Sequence, residues 1–138
     1  MTQSVKQLTT DLFAAWNAHD PERMIALYAP DYEEVDVAQA AAQVGRDGVR
    51  RTMTGYLHAF PDLQLALDDL VVEDNRVAVA WTLRGTHRGA LMNIPPSGRM
   101  VSVRGTTMLT IENGQFRRAL RVWDVAGLLR AIGLLPEL

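Results

Sequence analysis

The sequence contains no cysteine, and this absence removes whole classes of chemistry. Disulfide bonds, thiolate nucleophiles and the common structural zinc sites are excluded. No apolar run approaches the roughly 20 residues that span a bilayer, and the N-terminal segment lacks the pattern of a signal peptide. We therefore expect a soluble, cytoplasmic protein that has no membrane partner.

An excess of positive charge is also absent. The 14 lysines and arginines are scattered and are outnumbered by 16 acidic residues, which gives a formal net charge of -2. This distribution provides no electrostatic footprint for nucleic acid. The sequence also lacks the serine-hydrolase elbow, the phosphate loop, the dinucleotide fingerprint and the zincin motif. Its three isolated histidines do not have the spacing of a metal site, so we expect neither a metal nor another cofactor.

Apolar residues make up 48% of the 138 residues. This content is enough for the core of one domain, which we expect to cover residues 1–138. Capping and periodicity signals predict three helices in the N-terminal half. The first begins after Ser4 and reaches Asn17, the second runs from Pro21 towards Pro30 and buries Tyr28, and the third follows the glycines at 45 and 48 and ends at Pro61. An alternating or irregular segment, Tyr32–Val37, lies between the second and third helices.

Four runs rich in β-branched and aromatic residues follow Pro61 and predict a meander of antiparallel strands. Asn113-Gly114 is a strong hairpin signal, and Glu73-Asp74-Asn75 indicates a second tight turn. Helices in one half and strands in the other define an α+β fold with the helices on one face of the sheet. A strongly curved sheet wrapped round the helices would enclose a pocket.

Several segments of the chain, in order, resemble one known family. They are "AWNAHDPERMIALYAPD", "GRDGVRRTM", "FPDLQLALDDLVVEDNRVAVAWTLRGTHRG", "IPPSGRMVSVRG", "ENGQF" and "RVWDVAGLLRAIGLLP". The family is the SnoaL-like polyketide cyclases of the nuclear transport factor 2-like superfamily. The resemblance implies a cone-shaped barrel of mostly antiparallel strands wrapped round the N-terminal helices. It also implies a homodimer or higher homo-oligomer.

The function implied by this resemblance is cofactor-independent, aldol-type ring closure of a small polyketide-like substrate by acid/base catalysis, in the biosynthesis of polyketide antibiotics. Two other functions fit the same fold. One is a cofactor-free hydroxylase of a polycyclic aromatic polyketide, which an arginine inside the pocket would favour. The other is a small-molecule-binding protein without turnover.

Asp124 is the general acid/base that the resemblance implies. Its neighbours Trp123 and Val125 would keep water away from the carboxylate. The alternative for this residue is structural, because an aspartate directly before a helix commonly caps it by accepting a backbone N–H of Ala126 or Gly127. Both interpretations stay open at the level of sequence.

His87 lies near the same pocket in the family, and we expect it to act as a supporting hydrogen-bond donor or proton shuttle. Its alternative is a solvated loop histidine. Eight further residues complete the predicted site, as polar or flat walls for a substrate, although an aromatic stripe is more often plain core. The predicted substrate-binding residues are Trp16, Asn17, Tyr28, Tyr56, Phe60, Trp81, Met108 and Trp123.

For three charged residues the sequence supports only weak predictions of position. Arg121 precedes Asp124 by three positions, so in a regular strand the two point to opposite faces. We therefore expect Arg121 on the outer sheet face or at a dimer interface. Glu34 and Asp36 could supply a second carboxylate, but clustered acids are usually a solvated edge, and we expect the latter.

Overall fold

The computed structural model describes residues 4–137. Over this range, and in chain order, the protein forms four helices and six strands. The helices are α1 (Val5–Asn17), α2 (Pro21–Ile25), α3 (Gly45–Ala59) and α4 (Val125–Ala131). The strands are β1 (Tyr28–Asp36), β2 (Gln43–Val44), β3 (Gln64–Glu73), β4 (Arg76–Thr86), β5 (Met100–Glu112) and β6 (Gln115–Trp123). The predicted α+β class is confirmed.

The first two helices begin where the sequence predicts. The Ser4 hydroxyl accepts the backbone N–H of Gln7 at 3.0 Å, and the Asp20 carboxylate accepts that of Arg23 at 3.1 Å. Each side chain satisfies a backbone N–H that has no partner within its helix. Helix α2 ends at Ile25, earlier than expected, and Tyr28 is the first residue of β1 instead of a helical residue.

The six strands form one curved, unclosed sheet in the order β2-β1-β6-β5-β4-β3. Strands β3 to β6 form the predicted antiparallel meander. At the turn between β5 and β6, Asn113 and Gly114 both have positive φ, as a two-residue hairpin turn requires. The segment Tyr32–Val37, which the sequence left as alternating or irregular, lies in β1 up to Asp36, and β1 pairs in parallel with β6.

The helices cover the concave face of this sheet. Helix α1 packs against β3 and β4, and α3 packs against β1. The alternation along β4 turns Val77, Val79, Trp81 and Leu83 inwards, where all four are buried, which resolves the face that the sequence left open. A cavity remains between this inner face and the helices.

Candidate functional site

The inner cavity, here called the chamber, has a volume of about 70 Å³ and mostly apolar walls. Helix α1 contributes residues at helical spacing, and the inward positions of β4, β5 and β6 contribute the opposite wall. Of the eight predicted substrate-binding residues, six line the chamber. These six are Trp16, Tyr28, Tyr56, Phe60, Trp81 and Trp123.

A second cavity, here called the vestibule, has a volume of about 240 Å³ and polar walls. It extends to exposed residues such as Gln39 and Arg51, so it opens to solvent. Its lining comprises Glu34, Asp36, Gln39, Gln43, Arg51, Thr52, Gly55, Tyr56, Leu91 and Arg121. Tyr56 and Arg121 line both cavities and therefore mark the junction between them.

Arg121 forms the charged centre of this junction. Its Nη2 lies 3.0 Å from Oε1 of Glu34, and its Nη1 lies 3.9 Å from Oδ2 of Asp36. Burial acts to lower the pKa of Arg121, but the carboxylate of Glu34 and the surrounding tyrosines outweigh it, and the pKa is raised. The guanidinium is therefore permanently charged inside the protein.

The two carboxylates are held by different groups. Tyr32 donates its hydroxyl to Oε1 of Glu34 at 2.9 Å. Asp36 accepts the indole N–H of Trp123 at 2.9 Å on Oδ1 and 3.1 Å on Oδ2, and the backbone N–H of Ala38 at 2.9 Å. Asp36 is thus fully engaged. Oε2 of Glu34 has no hydrogen-bond donor among residues 4–137.

The tyrosines around the junction are held in their neutral form. Burial, together with the charges of Asp36 and Glu34, raises the pKa of Tyr56 to about 12, although Arg121 acts in the opposite direction. Burial and Glu34 also raise the pKa of Tyr28, and burial with neighbouring phenol and carboxylate groups raises that of Tyr32. All three hydroxyl groups therefore keep their protons at neutral pH, and that of Tyr32 is donated to Glu34.

The positions of Arg121, Glu34 and Asp36 correct the sequence-based expectations. Arg121 is not on the outer face, and the two acids are not a solvated edge, since each is only 5% exposed. Both expectations were wrong because alternate residues of a strand point to the same face, and these residues lie at inward-facing positions. Arg121 shares the inner face of β6 with Trp123, and Glu34 and Asp36 share the inner face of β1 with Tyr32. The period-two pattern was readable, but the pairing of β1 with β6 was not.

Asp124 lies outside both cavities, and its carboxylate caps α4. It accepts the backbone N–H of Gly127 at 2.8 Å, and the residue is exposed. The structure therefore supports the alternative that the sequence left open, a helix cap, because β6 ends at Trp123 and the chain turns outwards there.

His87 is also placed differently from its two predicted environments. It lines neither cavity, and it is not solvated, since it is 0% exposed. Its Nδ1 accepts the backbone N–H of Ser97 at 3.1 Å and lies 2.9 Å from the Ser97 hydroxyl. The ring packs against Phe60 with a centroid separation of 5.8 Å, so His87 supports a chamber wall and anchors the loop that follows β4.

Two predicted substrate-binding residues also lie outside the chamber. The Asn17 amide donates to the carbonyl oxygen of Leu65 at 2.9 Å and accepts its N–H at 2.7 Å, which ties α1 to β3. Met108 is 43% exposed, on the outer sheet face. Its neighbour Thr107 points inwards instead and accepts the indole N–H of Trp81 at 2.9 Å.

Two other kinds of site are absent from the described part of the chain. No group of three or more histidine, cysteine, aspartate or glutamate side chains is arranged to hold a metal ion among residues 4–137. No helix in the same range is long and apolar enough to cross a membrane.

Comparison with protein families and solved structures agrees with this fold. The family model described as SnoaL-like polyketide cyclase matches residues 6–132. No sequence match was found among curated proteins.

Three solved structures illustrate the similarity. AclR from Streptomyces galilaeus, provisionally described as a hydroxylase, is 32% identical over 97% of this chain and 83% of its own, with a TM-score of 0.85. TsrD from Streptomyces laurentii is 34% identical over 95% of this chain and 96% of its own, with a TM-score of 0.86. IdmH from Streptomyces antibioticus, provisionally described as a polyketide cyclase, is 24% identical over 95% of this chain and 99% of its own, with a TM-score of 0.82. The identity to IdmH supports the fold alone.

Proposed function

Since the chain belongs to the SnoaL-like polyketide cyclase family, we propose that it is a cofactor-independent enzyme that closes a ring in a small polyketide-like substrate by an aldol reaction. The observation that carries this proposal is the buried guanidinium of Arg121 at the junction of an aromatic chamber and a polar vestibule. A fixed positive charge beside an apolar cavity stabilises an enolate as it forms. Stabilising this anion is the main requirement of an aldol closure.

Glu34 is the base in this proposal, because its Oε2 is the carboxylate oxygen at the junction without a donor within residues 4–137. It takes a proton from a carbon flanked by two carbonyl groups. The negative charge then moves from Glu34 to the substrate enolate. Because the same guanidinium faces the charge before and after the transfer, the net charge of the junction does not change, and little reorganisation is needed.

Ring closure follows when the enolate carbon attacks a second carbonyl carbon and the electrons of that C=O bond move to its oxygen. Tyr56 is placed to donate a proton to the resulting alkoxide, since its raised pKa keeps the hydroxyl protonated at neutral pH. The proton held by Glu34 returns to Tyr56 through solvent in the vestibule. The chamber excludes water from the reacting carbons and folds the substrate.

Asp36 is a positioning residue in this mechanism. Two of its hydrogen bonds hold the indole of Trp123, and a third joins it to the backbone N–H of Ala38. Its Oδ2 contributes a second negative charge near Arg121. Asp124 and His87 have no direct part in the chemistry. They secure α4 and the loop after β4, respectively.

Product analysis tests the proposal. The purified protein is incubated with β-keto esters of one to three rings that carry a further ketone or aldehyde within reach of the acidic carbon. The products are separated and their masses are measured by mass spectrometry. Aldol closure gives a product of the substrate's mass, or one that has lost a water molecule. Binding without any product would support a small-molecule-binding protein and contradict the proposal.

Hydroxylation is a second candidate, favoured by Arg121 inside the chamber and by the 32% identity to AclR. Arg121 would bind a phenolate. The electron-rich anion would form a C–O bond with dioxygen, and a separate reductant would reduce the second oxygen atom to water. The same assay under air, with a reductant supplied, separates the two reactions. A product heavier by one oxygen atom, and absent under argon, would favour hydroxylation.

We also propose that the protein forms a homodimer through the outer face of its sheet. Val35, Met108, Leu120 and Val122 are each exposed by 40% or more. They are neighbours, because Leu120 pairs with both Val35 and Met108 in the sheet. Sedimentation measurements should give a dimer for the native chain and a monomer for Leu120→Lys. A monomeric native protein would contradict this assembly.

A further inference from the structure

The vestibule contains a cation to which the proposed reaction gives no role. Arg51 lines the vestibule with Gln39, Gln43 and Thr52. It forms no hydrogen bond or ion pair with any residue from Ser4 to Glu137, whereas its neighbour Arg50 is paired with Glu22. A guanidinium with free donors faces the vestibule, where it can bind a planar anion in a two-point contact.

The charges along the two cavities determine the orientation in which a ligand binds. At the junction, Glu34 and Asp36 carry two negative charges against the single positive charge of Arg121. An anionic group that is already ionised is therefore repelled from the junction and attracted to Arg51 near the mouth. A ligand with one ionised end enters the chamber with its neutral end first.

The two volumes limit the shape of the same ligand. The chamber measures about 70 Å³ and the vestibule about 240 Å³. The neutral end that reaches the aromatic walls is therefore small, and most of the molecule occupies the polar cavity. Within residues 4–137, the side-chain amides of Gln39 and Gln43 and the hydroxyl of Thr52 form no hydrogen bond, so they are available to oxygen atoms on this outer portion.

We infer that the substrate is a free carboxylic acid that places its carboxylate beside Arg51 and a small unsaturated, ring-forming end in the chamber. The inference rests on the proposed function only in taking the chamber as the site of the reacting carbons. It makes Arg51 a specificity-determining residue that binds the part of the substrate that does not react.

Binding of matched probes tests this inference without requiring turnover. Naphthalene carboxylate and naphthalene carboxamide have nearly the same shape, but the first is an anion. Calorimetry gives the Kd of each probe. Tryptophan emission reports entry into the chamber, because all three tryptophans of the protein, Trp16, Trp81 and Trp123, line it. Both probes are titrated into the native protein, Arg51→Gln and Arg50→Gln.

The native protein should bind the carboxylate about fivefold more tightly than the carboxamide, as expected for one solvent-exposed charge-assisted contact. Arg51→Gln should abolish this preference, and Arg50→Gln, which changes the neighbouring cation outside the vestibule, should retain it. Equal affinities in the native protein, or a preference that survives Arg51→Gln, would overturn the inference. Anthracene carboxylate, which has one more ring, should bind at least several-fold more weakly, since the chamber is the smaller cavity. Equal binding of the larger probe would overturn the size limit.

The failures of the two proposals are distinguishable. If the carboxylate preference depends on Arg51 but no β-keto substrate is turned over, the inference stands and the proposed function fails. If β-keto substrates that carry a separate acid group are cyclised equally well with that group free and with it esterified, by the native protein and by Arg51→Gln, the proposed function stands and the inference fails.

Discussion

Asp36 and Asp124 are both associated with Trp123, and the comparison between them separates proximity in sequence from proximity in space. Asp124 follows Trp123 directly in the chain, yet it is exposed and caps α4. Asp36 lies 87 positions from Trp123 in sequence, yet it accepts the indole N–H and is 5% exposed. A carboxylate next to a tryptophan in sequence is therefore no guide to which carboxylate binds the indole.

The difference arises because Asp36 lies in a β-strand, whereas Asp124 lies at the start of a helix. On β6 and β1, alternate residues point to one face, so Arg121 and Trp123 meet Glu34 and Asp36 across the parallel pair. At Asp124 the strand has ended, and the backbone N–H groups at the start of α4 provide a closer partner for a carboxylate than the cavity does. This difference predicts large effects for substitutions at the junction and small effects for substitutions at Asp124.

The largest effect is expected for Arg121→Met. Removing the guanidinium leaves Glu34 and Asp36 as buried carboxylates without a cation, which should cost about 3 kcal/mol of stability. Turnover should fall by about a hundredfold or more, because the enolate loses its stabilising charge. Urea unfolding and steady-state kinetics measure the two effects.

Two controls accompany this variant. Arg118→Met removes an exposed arginine of the same strand and should change neither quantity. Arg121→Lys retains the charge and tests catalysis if the methionine variant does not fold. Full activity in Arg121→Lys and Arg121→Met alike would show that the junction is not the site of the chemistry.

Glu34→Gln is expected to have the next largest effect. The amide keeps the shape of the side chain but is not a base, so turnover should fall by about a hundredfold or more while the fold is retained. Glu33→Gln is the matched control, because Glu33 is the preceding residue of β1 and is exposed. If Glu34→Gln has native kinetics, the base is a different residue.

The tyrosines provide a test that depends on pH. Burial and nearby carboxylates raise the pKa of Tyr28, Tyr32 and Tyr56, which are all the tyrosines of the protein. Tyrosinate absorbance of the folded protein should therefore appear above the ordinary value of 10.0, and the earliest transition should lie near the value of about 12 given for Tyr56.

The consequence for stability has a definite sign. In the unfolded chain the tyrosines lose their protons near pH 10, whereas in the folded chain they keep them, so the unfolded state binds fewer protons at high pH. The stability associated with neutral Tyr56 is therefore fully present below pH 10 and is lost as pH rises towards about 12. Tyr56→Phe should reduce this loss. A normal titration of all three tyrosines would contradict the buried junction.

The smallest effect is expected for Asp124→Asn. Asparagine caps helices nearly as well as aspartate, so stability should change by only about a few tenths of a kcal/mol, and turnover should not change. Asp124→Ala, which removes the cap, should cost about 1 kcal/mol. A hundredfold loss of turnover in Asp124→Asn would show that Asp124, and not the junction alone, takes part in catalysis, as the family resemblance implies.

Local signals determined much of the fold correctly. Ser4, Asp20 and Pro21 mark the starts of α1 and α2, and Asn113-Gly114 marks the last hairpin, because these effects act over a few residues of the chain. The aromatic walls were also predictable from periodicity. Met108 was misplaced because a shift of one position on a strand changes the face, and Asn17 because its partner, Leu65, is 48 positions away.

The sequence by itself therefore determined the starts of α1 and α2, the four strands of the meander, the α+β class and the supply of aromatic side chains. Only the tertiary structure decided which charges meet at the junction of the cavities. The parallel pairing of β1 with β6 brings Glu34 and Asp36 to Arg121 across 87 and 85 positions of sequence, respectively. No local propensity encodes a contact of that length, since it depends on the burial of both strands within one core.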